Sequence, residues 1–481
     1  MRASSHTVAG PPDALTASAP EVAGAVIIPG RPGYDAARTI WNAMIDRRPS
    51  HIVQCVDTDD VRRTLLWARA TGRQVTVRGG GHSIPGHSMI DDGVVLDLSE
   101  INGVFVDPAA CIARVGGGCL IGDVDRATQA HGLMTPAGAI SHTGVGGLTL
   151  GGGLGWTMRK FGLTVDNLRA GEVVTATGEV LHASATEHPD LFWALRGGGG
   201  NFGVVTEFEF ALHELGPVHL AATAFEVHDA PVVLRAMRDR MPTAPDELVW
   251  SAFFRLLPDW PWAPRARIGE PVLLAPLAWV GDTAEGRIAI DRILADLADL
   301  GIRPFAAAHG PVPYVELQQL NDELNGHGHW NYHKSSFLRD LDDDAIDVLC
   351  ARGAGIASAN SQLEVLSMGG AISRVAPGAT AFPHRAELWP VNVCGIWRPE
   401  EDAAANLAWV EETFVALRPH LSPGSYHNFG GSDADDAEIR DSFGATWTRL
   451  REIKTRYDAD NVFRHCANVP PLTEEGNDSR A

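Results

Sequence analysis

No stretch of this 481-residue sequence approaches the roughly 18 consecutive apolar residues that a membrane-spanning helix requires. A membrane is therefore not an expected partner. Positive charge is also scarce: 39 Lys and Arg stand against 60 Asp and Glu, a formal net charge of −21. A surface of that sign repels nucleic acid and anionic lipid, and its simplest role is solubility. Cysteine pairing is missing. Cys55, Cys111, Cys119, Cys350, Cys394 and Cys466 are scattered without framework spacing, which suits a reducing cytoplasm better than a disulfide scaffold. The opening "MRASSHTVAGPPDALTASAP" has neither the apolar core of a signal peptide nor a twin arginine, and reads as a flexible leader. Internal repeats and low-complexity tracts are absent. So are the common phosphate-binding signatures. No G-x-x-x-x-G-K-[ST] occurs, and the dinucleotide fingerprint G-x-G-x-x-G fails. "GVGGLTLGGGLG" starts G-x-G at Gly144 and Gly146 but puts Thr149 in the third glycine position, while "RGGGGNFG" follows a helix and precedes a strand, the wrong order.

What is abundant is glycine, crowded between Gly79 and Gly203 in "RGGGHSIPG", "VGGG", "TGVGGLTLGGGLGW" and "RGGGGNFG". Short β-rich runs lie between: "QVTV", "GVVLDL", and "GEVVTATGEVLHA", which reads as a hairpin turning at Thr177-Gly178. "IGDVDRATQAHG" and "TEHPDLFWALRG" read as helices stopped by Gly132 and Gly197, and "VVTEFEFAL" as a strand closing the region. Beyond about Leu215 the glycine clusters cease and tryptophan thickens, from Trp250 to Trp397. "EGRIAIDRILADLADLG" sets Ile290, Ile293, Leu294, Leu297 and Leu300 on one helical face ahead of Gly301. "REIKTRYDADNVFRHCANVPP" closes the chain as a helix and a turn-rich tail. A chain this long is expected to hold two or three domains.

Glycine lets an anion approach backbone N–H groups closely. Several such loops together point to a long anionic ligand touched at many places, and a dinucleotide has that shape. "RGGGHSIPG", "TGVGGLTLGGGLGWTMRKFGLTVDNL", "RGGGGNFGVVTEFEF" and "YDADNVF", in this order and spacing, resemble the FAD-linked oxidases of the vanillyl-alcohol oxidase superfamily, with the berberine-bridge-enzyme-like group as the nearest branch. The resemblance runs from about Ile52 to Pro471. It implies an α+β protein: a bipartite PCMH-type FAD-binding domain of two α/β subdomains, with an inserted α+β substrate domain built on an antiparallel sheet. The expected division is 1–45 leader and first helix, 46–214 FAD-binding domain, 215–420 substrate-binding cap, and 421–481 a segment returning to the FAD domain.

Carried over by position, Arg78, Gly79, Gly80, Gly81, His82 and Ser83 form the pyrophosphate loop. Gly144, Val145, Gly146, Gly147, Gly151, Gly152 and Gly155 line the pyrophosphate and flavin. Asn201, Gly203 and Val205 lie near the adenosine or ribityl side. In relatives, the histidine of R-x-G-G-H is bonded to the flavin 8α-methyl carbon, so His82 is the expected covalent attachment point. A neutral imidazole is a competent nucleophile for that purpose; the plainer role is a hydrogen bond or packing within the loop. Many relatives add a cysteinyl bond just before G-V-G-G, but Ile140 occupies that place here, so one covalent link is expected and no cysteinyl link.

On the substrate side, "YHNF" resembles a Y-x-N-[YF] motif. Tyr426 is the expected catalytic residue, orienting substrate or accepting its proton, against the alternative of a buried tyrosine bonded to backbone. A tyrosine with its usual pKa near 10 needs help to act as a base at pH 7. Asn428 is expected to fix the tail against FAD. Asn392 occupies a position where relatives carry a glutamate, glutamine or tyrosine; asparagine cannot take a proton, so it is expected to orient a hydroxyl, with the base elsewhere or absent. His327, His329 and His333 form an H-x-H-containing run without completing ligands, so no metal is expected, and Tyr332 and Lys334 beside them read as core or pocket lining. The resulting expectation is an FAD-dependent oxidase of a small alcohol-type molecule (or of a CH–NH group), with hydride passing to flavin N5 and O₂ giving H₂O₂, in natural-product tailoring. Alternatives are a carbohydrate oxidase or dehydrogenase, a flavin-dependent oxygenase or cyclase, and a catalytically silent flavin-binding protein. A monomer or homodimer in the cytoplasm completes the reading.

Overall fold

Among the described residues, short strands punctuated by glycine form two small sheets and a two-stranded ribbon (Leu133–Met134 with His213–Glu214) up to Glu214, and the strands from Val218 onward form one large sheet. The computed structural model describes residues 18–431 and 433–472. The first sheet has the order Val26–Ile27, His51–Gln54, Val94–Asp97, Val75–Arg78, with the last three strands mutually parallel. Val94–Asp97 is buried along its whole length, as a central parallel strand requires. The helix Thr58–Ala70 crosses over between its neighbours and is capped by the Asp57 carboxylate, which accepts from the Asp60 N–H at 2.8 Å.

The second sheet is antiparallel: Val104–Asp107, Ile112–Gly116, Val204–Ala211, Leu168–Val174, Val180–Ser184. Its last pair is the expected hairpin, with Gly178 at φ +80° in the turn. The helices Ile121–Gln129 and Pro189–Leu195 stop shortly before Gly132 and Gly197, both at positive φ.

The third sheet has nine antiparallel strands. The helices Ala230–Arg240, Thr283–Asp299, Asp343–Gly353 and Ala403–Leu417 share one core with its apolar residues, among them Phe254, Leu363, Val365, Val391 and Val393. In Thr283–Asp299 the expected face is narrower than the sequence pattern. Ile290, Ile293 and Leu297 are buried, Leu294 is partly so, and Leu300 is exposed because the helix ends one residue before it, in a turn made by Gly301.

The tail returns to the first half. Leu450 and Ile453 of the helix Trp447–Tyr457 pack in one core with Leu191 and Phe202. Beneath them the fully buried Lys454 ammonium donates to the Asn201 carbonyl at 2.8 Å, the Asp458 carboxylate at 2.6 Å and the Phe463 carbonyl at 3.0 Å. The architecture is the α+β arrangement expected from the motifs. Among the described residues, no helix is long and apolar enough to cross a membrane.

Candidate functional site

The glycine loops and the bare face of the large sheet enclose a cavity of about 400 Å³. Gly79, Gly80, Gly81, His82 and Ser83 follow the strand Val75–Arg78 and line it, as do Gly144, Gly146, Gly147, Gly155, Gly203, Val205, Asn392 and Asn428. Two glycine loops meet with nothing between them: a Cβ on Gly144 would lie 2.3 Å from the Gly80 nitrogen, and one on Gly80 2.4 Å from the Gly144 nitrogen. Gly147 and Gly200 differ. Both line the cavity, and a Cβ there would meet no atom within 4 Å, so their bare backbone faces open space. No side chain caps the N-terminus of the helix Val145–Gly151 that opens onto this space. Such a cradle of unscreened main chain suits a phosphate-bearing dinucleotide.

Other residues expected at the cofactor hold other posts. Arg78 donates to the Ala37 carbonyl, and the Val145 side chain is buried in the core of the second sheet. A Cβ on Gly151 would strike the Asn428 side chain and one on Gly152 would strike Phe382, so these two glycines make room for neighbouring chain segments. Asn201 is fully buried and clamps the tail: it donates to the Gly198 and Ala467 carbonyls and accepts from the Val469 N–H.

Tyr426 also sits off the cavity. Its hydroxyl accepts from the Gly153 N–H at 2.9 Å and from the Asn428 amide at 2.8 Å, and burial pushes its pKa up to about 12. That geometry is the arrangement of a buried tyrosine bonded to backbone. Asn428 donates as well to the Leu148 carbonyl at 3.1 Å, stapling the tail to the glycine helix at the cavity wall.

The His82 ring stacks on Trp41, centroids 4.2 Å apart and planes within 17°. Its Nε2 lies 3.1 Å from His142 Nδ1. Burial, then the nearby His142 and His327, hold its pKa well below the ordinary histidine value, so the ring is neutral at pH 7. Ile140 lines the cavity as well.

Strand alternation builds the cavity floor. In register across the large sheet, Phe253, Glu364, Asn392 and Ser335 form one row, and Arg255, Gln362, Cys394 and His333 the next. Both rows face away from the helix-covered core. Arg255 donates to the Gln362 amide oxygen at 3.0 Å, Gln362 donates to Glu364, and the Asn392 amide approaches Glu364 at 3.4 Å. Burial raises the Glu364 carboxyl to about 7, against the lowering effect of Asn392 and Arg255. Several polar atoms here are buried without protein partners: Arg255 Nε and Nη2, both His333 nitrogens, Ser335 Oγ and Asn392 Oδ1. Of these residues His333 and Asn392 line the cavity, and unmatched groups there are available to a ligand.

Sequence reasoning reached Asn392 but missed Glu364. The available signal was "QLEVL", where polar Gln362 and Glu364 alternate with apolar Leu363 and Val365 in a buried strand. The histidine run separates by the same alternation and by its loop. His333 joins the floor, His329 donates its Nδ1–H to the Gly326 carbonyl, and His327 lies beside His142. Tyr332 and Lys334 point to the opposite face, where both bond Asp433.

Comparison with known proteins agrees with this architecture. Residues 49–184 match the family described as "FAD binding domain", and residues 425–470 the family described as "Berberine and berberine like". The (R)-6-hydroxynicotine oxidase of Paenarthrobacter nicotinovorans is 38% identical, over 94% of this chain and 97% of its own. The uncharacterized FAD-linked oxidoreductase YgaK of Bacillus subtilis (strain 168) is 30% identical, over 94% and 98%. The crystal structure of 6-hydroxy-D-nicotine oxidase from Arthrobacter nicotinovorans superposes with a TM-score of 0.83 at 28% identity, covering 94% of this chain and 98% of that one. A glycine cradle open to a dinucleotide, a tail stapled across it and relatives matched along nearly their whole length lead to one conclusion: the chain belongs to the FAD-linked oxidoreductases of the vanillyl-alcohol oxidase superfamily, in the berberine-bridge-enzyme-like branch.

Proposed function

We propose that this protein is an oxidase that removes hydride from a carbon bearing a hydroxyl or amine in a small molecule, with dioxygen as the final acceptor and H₂O₂ as product. The observation that carries the reading is Glu364, a buried carboxyl poised near neutrality on the floor of the cavity. FAD, held by the glycine cradle, would supply the hydride acceptor and the transfer of electrons to dioxygen. Glu364 takes the O–H or N–H proton at its carboxylate, a role favoured by a pKa near the working pH. Asn392 orients the same substrate group through its unpartnered Oδ1, and Arg255 holds Gln362 and thereby Glu364. Trp156, Phe253, Leu366 and Phe429 give the cavity apolar walls, which exclude water and favour a substrate with an aromatic or aliphatic body. The relative named as a hydroxynicotine oxidase supports the oxidase reading.

In this proposal residues 46–214 and the described part of 421–481 hold FAD, residues 473–481 lying outside the described residues, and residues 215–420 supply the substrate floor. Gly79 to Ser83, Gly144, Gly146, Gly147 and Gly200 receive the dinucleotide, and His82 bonds to the flavin as its single covalent link. The test is anaerobic mixing of the purified yellow protein with a panel of small alcohols and amines. A substrate bleaches the flavin absorbance, air restores it with release of H₂O₂, and the product is two hydrogens lighter. Bleaching by no alcohol or amine across a broad panel would defeat the proposal, and incorporation of oxygen into the product would replace it with an oxygenase.

A further inference from the structure

Three imidazoles from distant parts of the chain converge beside the cavity. His142 touches His82, and His327 lies to one side of the pair, with its ring centroid 5.2 Å from that of His142 and 6.5 Å from that of His82. We infer that His142 is a positioning residue for cofactor attachment: it fixes the hydrogen of His82 on Nε2 and takes that proton as His82 bonds to FAD. The inference rests on the covalent reading above.

The chemistry asks for such a group. An N–C bond forms between the His82 imidazole and the flavin 8α-methyl carbon, while one C–H bond of that methyl and the imidazole N–H break. The electron pair reduces the flavin, and dioxygen, as the oxidant, removes it to give H₂O₂. As the N–C bond forms, the imidazole becomes cationic and must shed its proton. Among the described residues, the ionisable groups acting most on His82 are His142, His327 and His333. His142 is the one within hydrogen-bond distance.

The geometry of the pair is fixed on both sides. Trp41 stacks on the His82 face and is itself anchored by its Nε1–H, which donates to the Asn325 carbonyl at 2.6 Å. The loop carrying His142 is tied down next door, where the Ser141 N–H and hydroxyl both donate to Asp322 at 2.8 and 2.5 Å. With Nε2 engaged by His142, Nδ1 is left as the nitrogen able to attack. His142 Nε2 is buried without a protein partner, and the His142 ring centroid lies 5.2 Å from that of His327, an exposed residue.

The experiment uses full-length apoprotein from riboflavin-limited cells, mixed with FAD in air. Native absorbance reads binding, and intact mass after denaturation reads attachment. Wild-type protein should retain one FAD after denaturation. His142→Ala should bind FAD in the native state yet attach it about 100-fold more slowly, the scale of a lost acid–base group. His142→Gln, whose amide oxygen can hold the Nε2 hydrogen without accepting the proton, should fall between the two. Attachment at the wild-type rate in His142→Ala would overturn the inference; should that variant fail to fold, the wild-type rate in His142→Gln would do so. Wild-type protein that loses all FAD on denaturation would instead overturn the covalent reading, and the inference with it.

Discussion

Replacing Glu364 with glutamine should move stability and turnover in opposite directions. The side chain is 8% exposed, and burial raises its pKa from 4.5 to about 7 although Asn392 and Arg255 pull it down. A raised carboxyl pKa means the folded state holds a proton that the unfolded chain releases. Native stability from this group is then complete below pH 4.5 and is lost as pH rises toward 7. Above that the buried carboxylate costs about 3 kcal/mol, at about 1.4 kcal/mol per pKa unit. Glutamine mimics the neutral acid and carries no such cost. Glu364→Gln should therefore be more stable than wild type by about 3 kcal/mol at pH 8 but by only about 1 kcal/mol at pH 5. The same change should lower the rate of flavin bleaching by about 10²–10⁴-fold and remove the limb of its pH profile near 7. Denaturant unfolding of the FAD-loaded proteins at the two pH values reads the first effect, and anaerobic stopped-flow reads the second. Equal stabilisation at both pH values, or wild-type bleaching rates in the variant, would refute the reasoning.

Tyr426→Phe should cost about 1–3 kcal/mol of stability by leaving the Gly153 N–H without its acceptor, yet keep kcat within about tenfold, since the hydroxyl does not reach the cavity; stability and steady-state peroxide assays decide between this and a catalytic tyrosine. Gly147→Ala should leave the unfolding transition of apoprotein intact while weakening FAD binding, because its methyl enters open cavity, whereas Gly144→Ala should destabilise the apoprotein through its clash with Gly80. Lys454→Met should lower unfolding free energy by about 3–5 kcal/mol by stranding the buried Asp458 carboxylate, and Lys454→Met with Asp458→Asn should recover part of that loss. Denaturant titration reads both.

The fold was legible where a motif has a local physical cause. Glycines at positive φ mark Gly132, Gly178 and Gly197, and each ends or turns an element as its sequence context demanded. The site was legible only in part. Glycine is required for two different reasons, and sequence does not separate them: at Gly147 the backbone faces open space, while at Gly151 it makes room for Asn428. Glu364 escaped notice because its neighbours across the sheet, Phe253 and Asn392, come from strands more than 100 residues and 28 residues away. Its raised pKa is a property of that cross-strand setting, which no spacing along the chain announces. Tyr426 shows the converse, since a motif position identified the residue but not where its hydroxyl would point.

The contact between Gly80 and Gly144 has a consequence for biosynthesis. Neither loop shapes a dinucleotide site alone, because each serves as the other's wall, and residues His427, Asn428, Phe463, His465, Cys466 and Ala467 supply the remaining side. A nascent chain still missing those last residues has only a fragment of a nest. Cofactor capture therefore belongs after translation, as the step that seals a finished protein, and cells starved of riboflavin should accumulate a full-length, colourless form competent to be filled.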